Sequence, residues 1–244
     1  MDTVLLCAIG VGGATILGGA LGLFFSKITK PVCDAVLSLA AGVMLSASIF
    51  GLIIPSIEQG NSIFTTILGL FCGALCVQIL DFLLLRITKS RENSSGVDNR
   101  AKSVILFISA IALHNLPEGV AAGVGFGTDD ISNGILIATA IALQNIPEGI
   151  IVTVSLMGIG AKQSRAFIIS ALTGVIEIIG TFIGYFAVMI SSALLPFILA
   201  LAGGTMIYVI CEEMIPETHS ENGGISSYFL LLGFSLMLFI NAVL

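Results

Sequence analysis

Two hexapeptides carry the chemistry of this sequence: His114-Asn115-Leu116-Pro117-Glu118-Gly119, and thirty residues later Gln144-Asn145-Ile146-Pro147-Glu148-Gly149. His114 and Glu118 stand at i and i+4, so on a helix they project from one face a turn apart, and Gln144 and Glu148 do the same. Pro117 cannot donate to the carbonyl of Leu113, nor Pro147 to that of Leu143, so each proline frees a carbonyl beside a polar pair. Imidazole nitrogen with carboxylate and amide oxygen suits Zn²⁺, Fe²⁺ or Mn²⁺ better than an alkali ion. Bridging carboxylates from Glu118 and Glu148 could hold two such ions.

The elements that must position these groups are membrane spans. Of the 244 residues 57% are hydrophobic and 10% charged, with a mean hydropathy of +1.12, against about 25% charged in a soluble domain. A span needs roughly 20 apolar residues. Eight segments qualify, at about 4–26, 35–57, 62–86, 103–126, 131–157, 165–190, 194–216 and 225–244, with a cytoplasmic loop at 87–102. The expected fold class is an all-α integral membrane protein, one transporter domain over 1–244. The first apolar run follows Met1-Asp2, and its positive charges Lys27 and Lys30 come after it. That is the reverse of a secretory leader, so it reads as a permanent span. No basic cluster of the kind that holds nucleic acid is present, and the expected partners are the lipid bilayer and divalent metal ions.

At ~1.5 Å per residue, His114 lies ~16 Å into its span, Gln144 ~20 Å and Glu177 ~18 Å. His114, Asn115, Glu118, Gln144, Asn145, Glu148 and Glu177 therefore share one depth near the bilayer centre, where polar groups are costly and need a partner or a purpose. No Lys or Arg lies at that depth. The three carboxylates either carry protons or surround a cation. A divalent-ion carrier is the leading reading, and a proton relay through the carboxylates is the second. An intramembrane zinc hydrolase is the third, disfavoured because the sequence lacks His-Glu-x-x-His.

All nine Lys and Arg fall at alternate breaks between spans: Lys27 and Lys30; Arg86, Lys89, Arg91, Arg100 and Lys102; Lys162 and Arg165. The positive-inside rule puts those breaks in the cytoplasm and both termini outside. The hexapeptide is not the only internal echo. Ala41-Gly42 precedes Pro55 by thirteen residues, as Ala202-Gly203 precedes Pro216. Spans 1–3 would then mirror spans 6–8 as an inverted repeat around the central pair 4 and 5.

His-Asn-Leu-Pro-Glu-Gly in span 4 followed by Gln-Asn-Ile-Pro-Glu-Gly in span 5 resembles the signature of the ZIP (Zrt/Irt-like) metal transporters, in particular their prokaryotic branch. The resemblance covers nearly the whole chain, Glu177 in span 6 included. It implies a 3+2+3 helix bundle in the plasma membrane and import of zinc, with iron, manganese and cadmium as related cargo, by alternating access through a binuclear site. His114, Glu118, Gln144 and Glu148 would serve one ion. Asn115, Asn145 and Glu177 would serve the other, with Glu118 and Glu148 shared. Met44 matches a soft ligand of the first ion, though core packing explains it equally well. No catalytic cofactor is implied, and a homodimer is compatible with the pattern. Two departures stand out: Gln144 where many members have histidine, and no histidine in Arg91–Arg100.

At the inner end of span 7, Glu212, Glu213, Glu217 and His219 form a second polar group, which the resemblance puts on a cytoplasmic exit path with Asp81 as a further contributor. Pro216 and the Gly223-Gly224 pair explain it equally well as a solvated helix end. On the outer side Glu58, Asp129 and Asp130 could concentrate cations, or serve only to solvate their loops.

Overall fold

The structure is a computed structural model that describes residues 2–25, 28–60, 62–92, 115–126, 131–190, 192–219 and 223–243. Hydrocarbon offers the backbone no hydrogen-bond partners, so a lipid-embedded chain this apolar must satisfy its amides within helices. Among the described residues every long element is a helix. They are α1 (Asp2–Gly22), α2 (Lys30–Gln59), α3 (Ile63–Glu92), α4 (115–126), α5 (Ile131–Gly158), α6 (Gln163–Ile190), α7 (Leu195–His219) and α8 (Gly223–Val243). Seven of them, all but α4, are long and apolar enough to cross a membrane. Of the expected fourth span only 115–126 is described; residues 103–114, with His114, lie outside the described residues, as do 93–102 of the expected loop.

The helix ends differ most from the expected bounds in three places: α1 stops at Gly22 rather than about 26, α2 begins at Lys30 rather than about 35, and α3 runs past 86. The expected loop begins at 87, yet α3 continues to Glu92. Residues 87–92 contain no Gly or Pro, and Lys89, Arg91 and Glu92 are good helix formers. Polarity there marks where hydrocarbon ends, not where the helix ends.

Two groups of helices share the work. In one, α1 packs on α5 and α6, α5 also touches α6, and α4 lies against α6 and the start of α5. In the other, α3 packs on α7 and α8 on α2. The groups meet mainly along α2 and α5. Met44, Leu52, Ile137, Ile141, Leu199 and Met206 fill the core between them.

Both α2 and α7 contain a wider π-helical segment, Ser48–Ile53 and Ile210–Met214, each ending just before a proline, Pro55 and Pro216. Proline removes a donor from the helix ladder, and an extra residue per turn is one way to absorb that. The Gly51 carbonyl, four residues before Pro55, accepts a 3.1 Å bond from Asn133 Nδ2 of α5. Pro147, in contrast, sits inside a helix that stays α throughout.

The glycine contacts repeat in a regular way. Gly12 and Gly174, 162 residues apart, face each other so closely that a Cβ on either would collide with the other's carbonyl. A Cβ at Gly18 would strike the carbonyl of Ile146, and one at Gly180, also 162 residues on, that of Leu116, thirty residues before Ile146. Gly149 meets the carbonyl of Thr15, and Gly119 that of Glu177 in the same relation. In lipid, where no hydrophobic effect drives helices together, such close approach supplies the packing.

The contrast between Gly12 and Gly10 gives a test. Gly12→Val forces two helix backbones apart and is expected to lower the thermal midpoint of the purified protein by about 5 °C or more, or to leave no folded protein. Gly10→Ala, whose Cβ meets nothing within 4 Å, is expected to shift it by about 2 °C at most. Equal behaviour in a melting curve would contradict the packing described.

Candidate metal centre

Four helices converge on one buried polar cluster. α1 supplies Thr15, α4 supplies Asn115 and Glu118, α5 supplies Gln144, Asn145 and Glu148, and α6 supplies Glu177. Thr15, Asn115, Asn145 and Glu177 are 0% exposed, and Glu118 and Gln144 are 3% exposed. The glycine contacts bring the helices together here: Gly119 and Gly149 follow the two Glu residues of the hexapeptides directly and let α4 and α5 press onto the backbones of Glu177 and Thr15.

The hydrogen bonds run from amides to carboxylates. Asn145 Nδ2 donates to Glu177 Oε2 at 2.8 Å, and Asn115 Nδ2 donates to Glu177 Oε1. Thr15 Oγ1 lies 3.0 Å from each Glu177 oxygen and donates to both. Gln144 Nε2 donates to Glu118 Oε1 at 2.7 Å. Glu118, Glu148 and Glu177 are all within electrostatic reach of one another.

This pattern has a chemical consequence. An ionised carboxylate only accepts, so each amide must turn its NH₂ towards it and its oxygen away. Asn115 Oδ1, Asn145 Oδ1, Gln144 Oε1 and Glu118 Oε2 are buried and have no hydrogen-bond partner among the described residues. Each such buried acceptor costs on the order of 1–3 kcal/mol. Three amide oxygens and one Glu118 oxygen without donors, with the carboxylates of Glu148 and Glu177 beside them, are the kind of donors that suit a hard or borderline cation. Among the described residues no three His, Cys, Asp or Glu side chains are close enough to hold a metal by themselves. A ligand set drawn from the described residues would therefore have to include the amides; His114 lies outside the described residues.

The remaining sequence candidates are distributed as follows. Met44 is 1% exposed in the core cluster with Ala41, Leu52 and Met206. Its carbonyl accepts from Ser48 Oγ at 2.8 Å. Asp81, Glu212 and Glu213 lie within electrostatic range of Tyr208. Glu217 pairs with Lys30 at 3.6 Å, and Lys30 also bonds the buried Asp34 at 3.1 Å. Both ring nitrogens of His219 are engaged, Nδ1 with Thr218 Oγ1 and the Ile215 carbonyl, Nε2 with Ser227 Oγ. At the opposite end, Glu58 joins Gln59, Ser132, Asn133 and Asn241 around a cavity of about 300 Å³; Asp129 and Asp130 lie outside the described residues.

Comparison with known proteins shows the family of the chain that carries this cluster. Residues 88–241 match the family model described as ZIP zinc transporter. The chain belongs to the ZIP family. It is 35% identical to zinc transporter GufA of Myxococcus xanthus, over 90% of this chain and 89% of that protein. It is 36% identical to zinc transporter ZIPB of Bordetella bronchiseptica, over 95% of this chain and 78% of that protein. Human zinc transporter ZIP11 is 29% identical over 93% of this chain. The ZIP family is one of membrane transporters, and the hydrolase reading ends there.

One residue of this ZIP cluster escapes the sequence reading. Thr15 reads as an ordinary small residue on a glycine-rich face, because hydroxyls are common there. The signal that would have found it is a register. Gly12, Gly18 and Gly22 recur 162 residues later as Gly174, Gly180 and Gly184, and the same shift carries Thr15 onto Glu177.

Proposed function

We propose that this protein imports divalent transition-metal ions, zinc foremost, across the plasma membrane into the cytoplasm by alternating access through a two-ion site at mid-membrane. The observation that carries this reading is the set of four buried oxygens of Asn115, Asn145, Gln144 and Glu118 that find no donor among the described residues, next to carboxylates with no Lys or Arg at their depth. A proton relay would leave those amide oxygens as they are; a dication gives them a partner and offsets the carboxylate charge at once. The relatives named above, described as zinc transporters, support zinc as the cargo.

Within the site, His114, Glu118, Gln144 and Glu148 hold one ion. Asn115, Asn145 and Glu177 hold the other, with Glu118 and Glu148 bridging. Iron, manganese and cadmium share enough of this oxygen-and-imidazole chemistry to compete. The architecture is eight spans in a 3+2+3 inverted repeat with both termini outside. That reading is supported by the reciprocal packing of α3 on α7 and α8 on α2, by the paired π segments, and by glycine contacts that recur at the 162-residue shift. Alternate loops rich in Lys and Arg support the orientation.

Uptake of radiolabelled zinc into proteoliposomes tests the reading. Glu148→Ala and His114→Ala are each expected to lower saturable uptake by about 100-fold or more while folded protein remains, since each removes a first ligand. Undiminished transport in either would take that residue out of the site.

The two faces of an amide give a second test. Asn145→Asp keeps an oxygen for the ion and loses the donor to Glu177, so it is expected to melt lower than wild type without zinc and to gain a larger stabilisation from added zinc. Asn145→Leu loses both groups, and its expected response to zinc is weakened by about 10-fold or more in apparent affinity. A melting series with and without zinc distinguishes them, and identical zinc responses would remove Asn145 from the ligand set.

A further inference from the structure

We infer that Thr15 is a positioning residue of the mid-membrane site: its hydroxyl fixes the plane of the Glu177 carboxylate, and through it the direction in which Asn115 and Asn145 hold their free oxygens. The inference rests on the cation-site reading above. The terminal torsion of a glutamate is broad and soft, so the side chain alone does not set the orientation of its carboxylate. Three donors set it here. Asn115 from α4 takes one oxygen, Asn145 from α5 takes the other, and the Thr15 hydroxyl from α1 lies midway, 3.0 Å from both.

The hydroxyl of a buried threonine in a helix ordinarily returns to a carbonyl of its own preceding turn. Thr173, Thr181, Thr205 and Thr218 all do so. Thr15 turns instead to a side chain 162 residues away and is 0% exposed. Its backbone is held in place from the other side, where Gly149 presses on its carbonyl. The position is thus fixed to within a small tolerance, and what it presents to Glu177 is one hydroxyl.

Without that hydroxyl each carboxylate oxygen keeps one asparagine donor, but the donor that holds both oxygens at once is gone and the carboxylate plane is held less tightly. The two asparagine amides then lose their common reference, and the oxygens they would offer an ion are no longer held in one geometry. The loss falls on binding of the ion in the ground state, so it appears as a higher half-saturating concentration more than as a lower maximal rate.

The test is zinc uptake by the full-length protein in proteoliposomes over a range of zinc concentrations, for wild type, Thr15→Val and Thr15→Ser. Valine keeps the shape and removes the hydroxyl; serine keeps the hydroxyl and removes the methyl. The expected result is a half-saturating zinc concentration about 10-fold or more higher for Thr15→Val, with Thr15→Ser within about two-fold of wild type. Kinetics of Thr15→Val equal to wild type would overturn the inference, as would Thr15→Ser impaired as much as Thr15→Val. If Thr15→Val does not fold, Thr15→Ala is measured against the same expectation. Loss of folded protein in both would assign Thr15 to folding and overturn its positioning role. Wild-type protein that takes up no divalent ion would overturn the site reading itself, an outcome distinct from a normal wild type with an indifferent Thr15→Val.

Discussion

Everything near the centre of this molecule answers to one burial: the carboxylate of Glu177, fully enclosed and with no Lys or Arg at its depth. A charge without a counter-charge in low dielectric is tolerated only where several dipoles point at it. Three do so, from Thr15, Asn115 and Asn145, and they come from three different helices. Bringing four helix backbones within reach of one side chain requires glycine at the crossings. Gly12, Gly119, Gly149 and Gly174 are at those crossings, and any of them would collide with a neighbouring backbone if it carried a Cβ. The glycines at these four crossings make that enclosure possible, while others such as Gly42 and Gly204 serve helix pairs away from it.

The proposed ion site draws on the same geometry. Asparagine and glutamine carry a donor and an acceptor on one rigid plane, so directing the donor to a carboxylate aims the acceptor elsewhere. A site built from carboxylates alone would repel itself, and one built from hydroxyls alone would be too weakly basic to compete with water for a dication. Alternating amides with carboxylates resolves both difficulties: the donors hold the acids together, and the leftover oxygens are available to the proposed ion. In the proposed site it would also soften metal preference, since an amide oxygen such as that of Gln144 discriminates less for zinc than an imidazole would.

Much of this was legible in the sequence. Helix existence, the central polar depth and the pairing of the two hexapeptides follow from apolar run length and from spacing alone, because the bilayer imposes length and the helix imposes the i, i+4 face. The end of α3 was not legible from polarity, since Lys89, Arg91 and Glu92 favour helix whether or not lipid surrounds them. The π segments were not legible either, although the echo of Pro55 in Pro216 marked where they would fall. Pro147 shows why: the same residue type is absorbed there without a widened turn, so a proline predicts a freed carbonyl but not how the backbone accommodates it. Thr15 stayed hidden for another reason. A hydroxyl's role depends on which way it turns, and only its register with Glu177 hinted at the partner.

That register bears on how the site came to be asymmetric. Under the 162-residue shift the backbone contacts match in detail, Gly149 to the Thr15 carbonyl and Gly119 to the Glu177 carbonyl, while the two side chains at equivalent positions differ in charge. Two glutamates there would bring a second uncompensated carboxylate into the same enclosure, against Glu118 and Glu148 already nearby. Two threonines would leave Asn115 and Asn145 without a shared carboxylate acceptor, Asn145 keeping its 3.4 Å bond to the Val11 carbonyl. One of each is the combination in which every donor finds an oxygen, and it lets a single carboxylate reach across to both halves of the bundle. A packing scheme that is near-symmetric in its backbone thus requires an unsymmetric pair at its centre, and the charge difference between Thr15 and Glu177 follows from hydrogen-bond accounting before any cargo is considered.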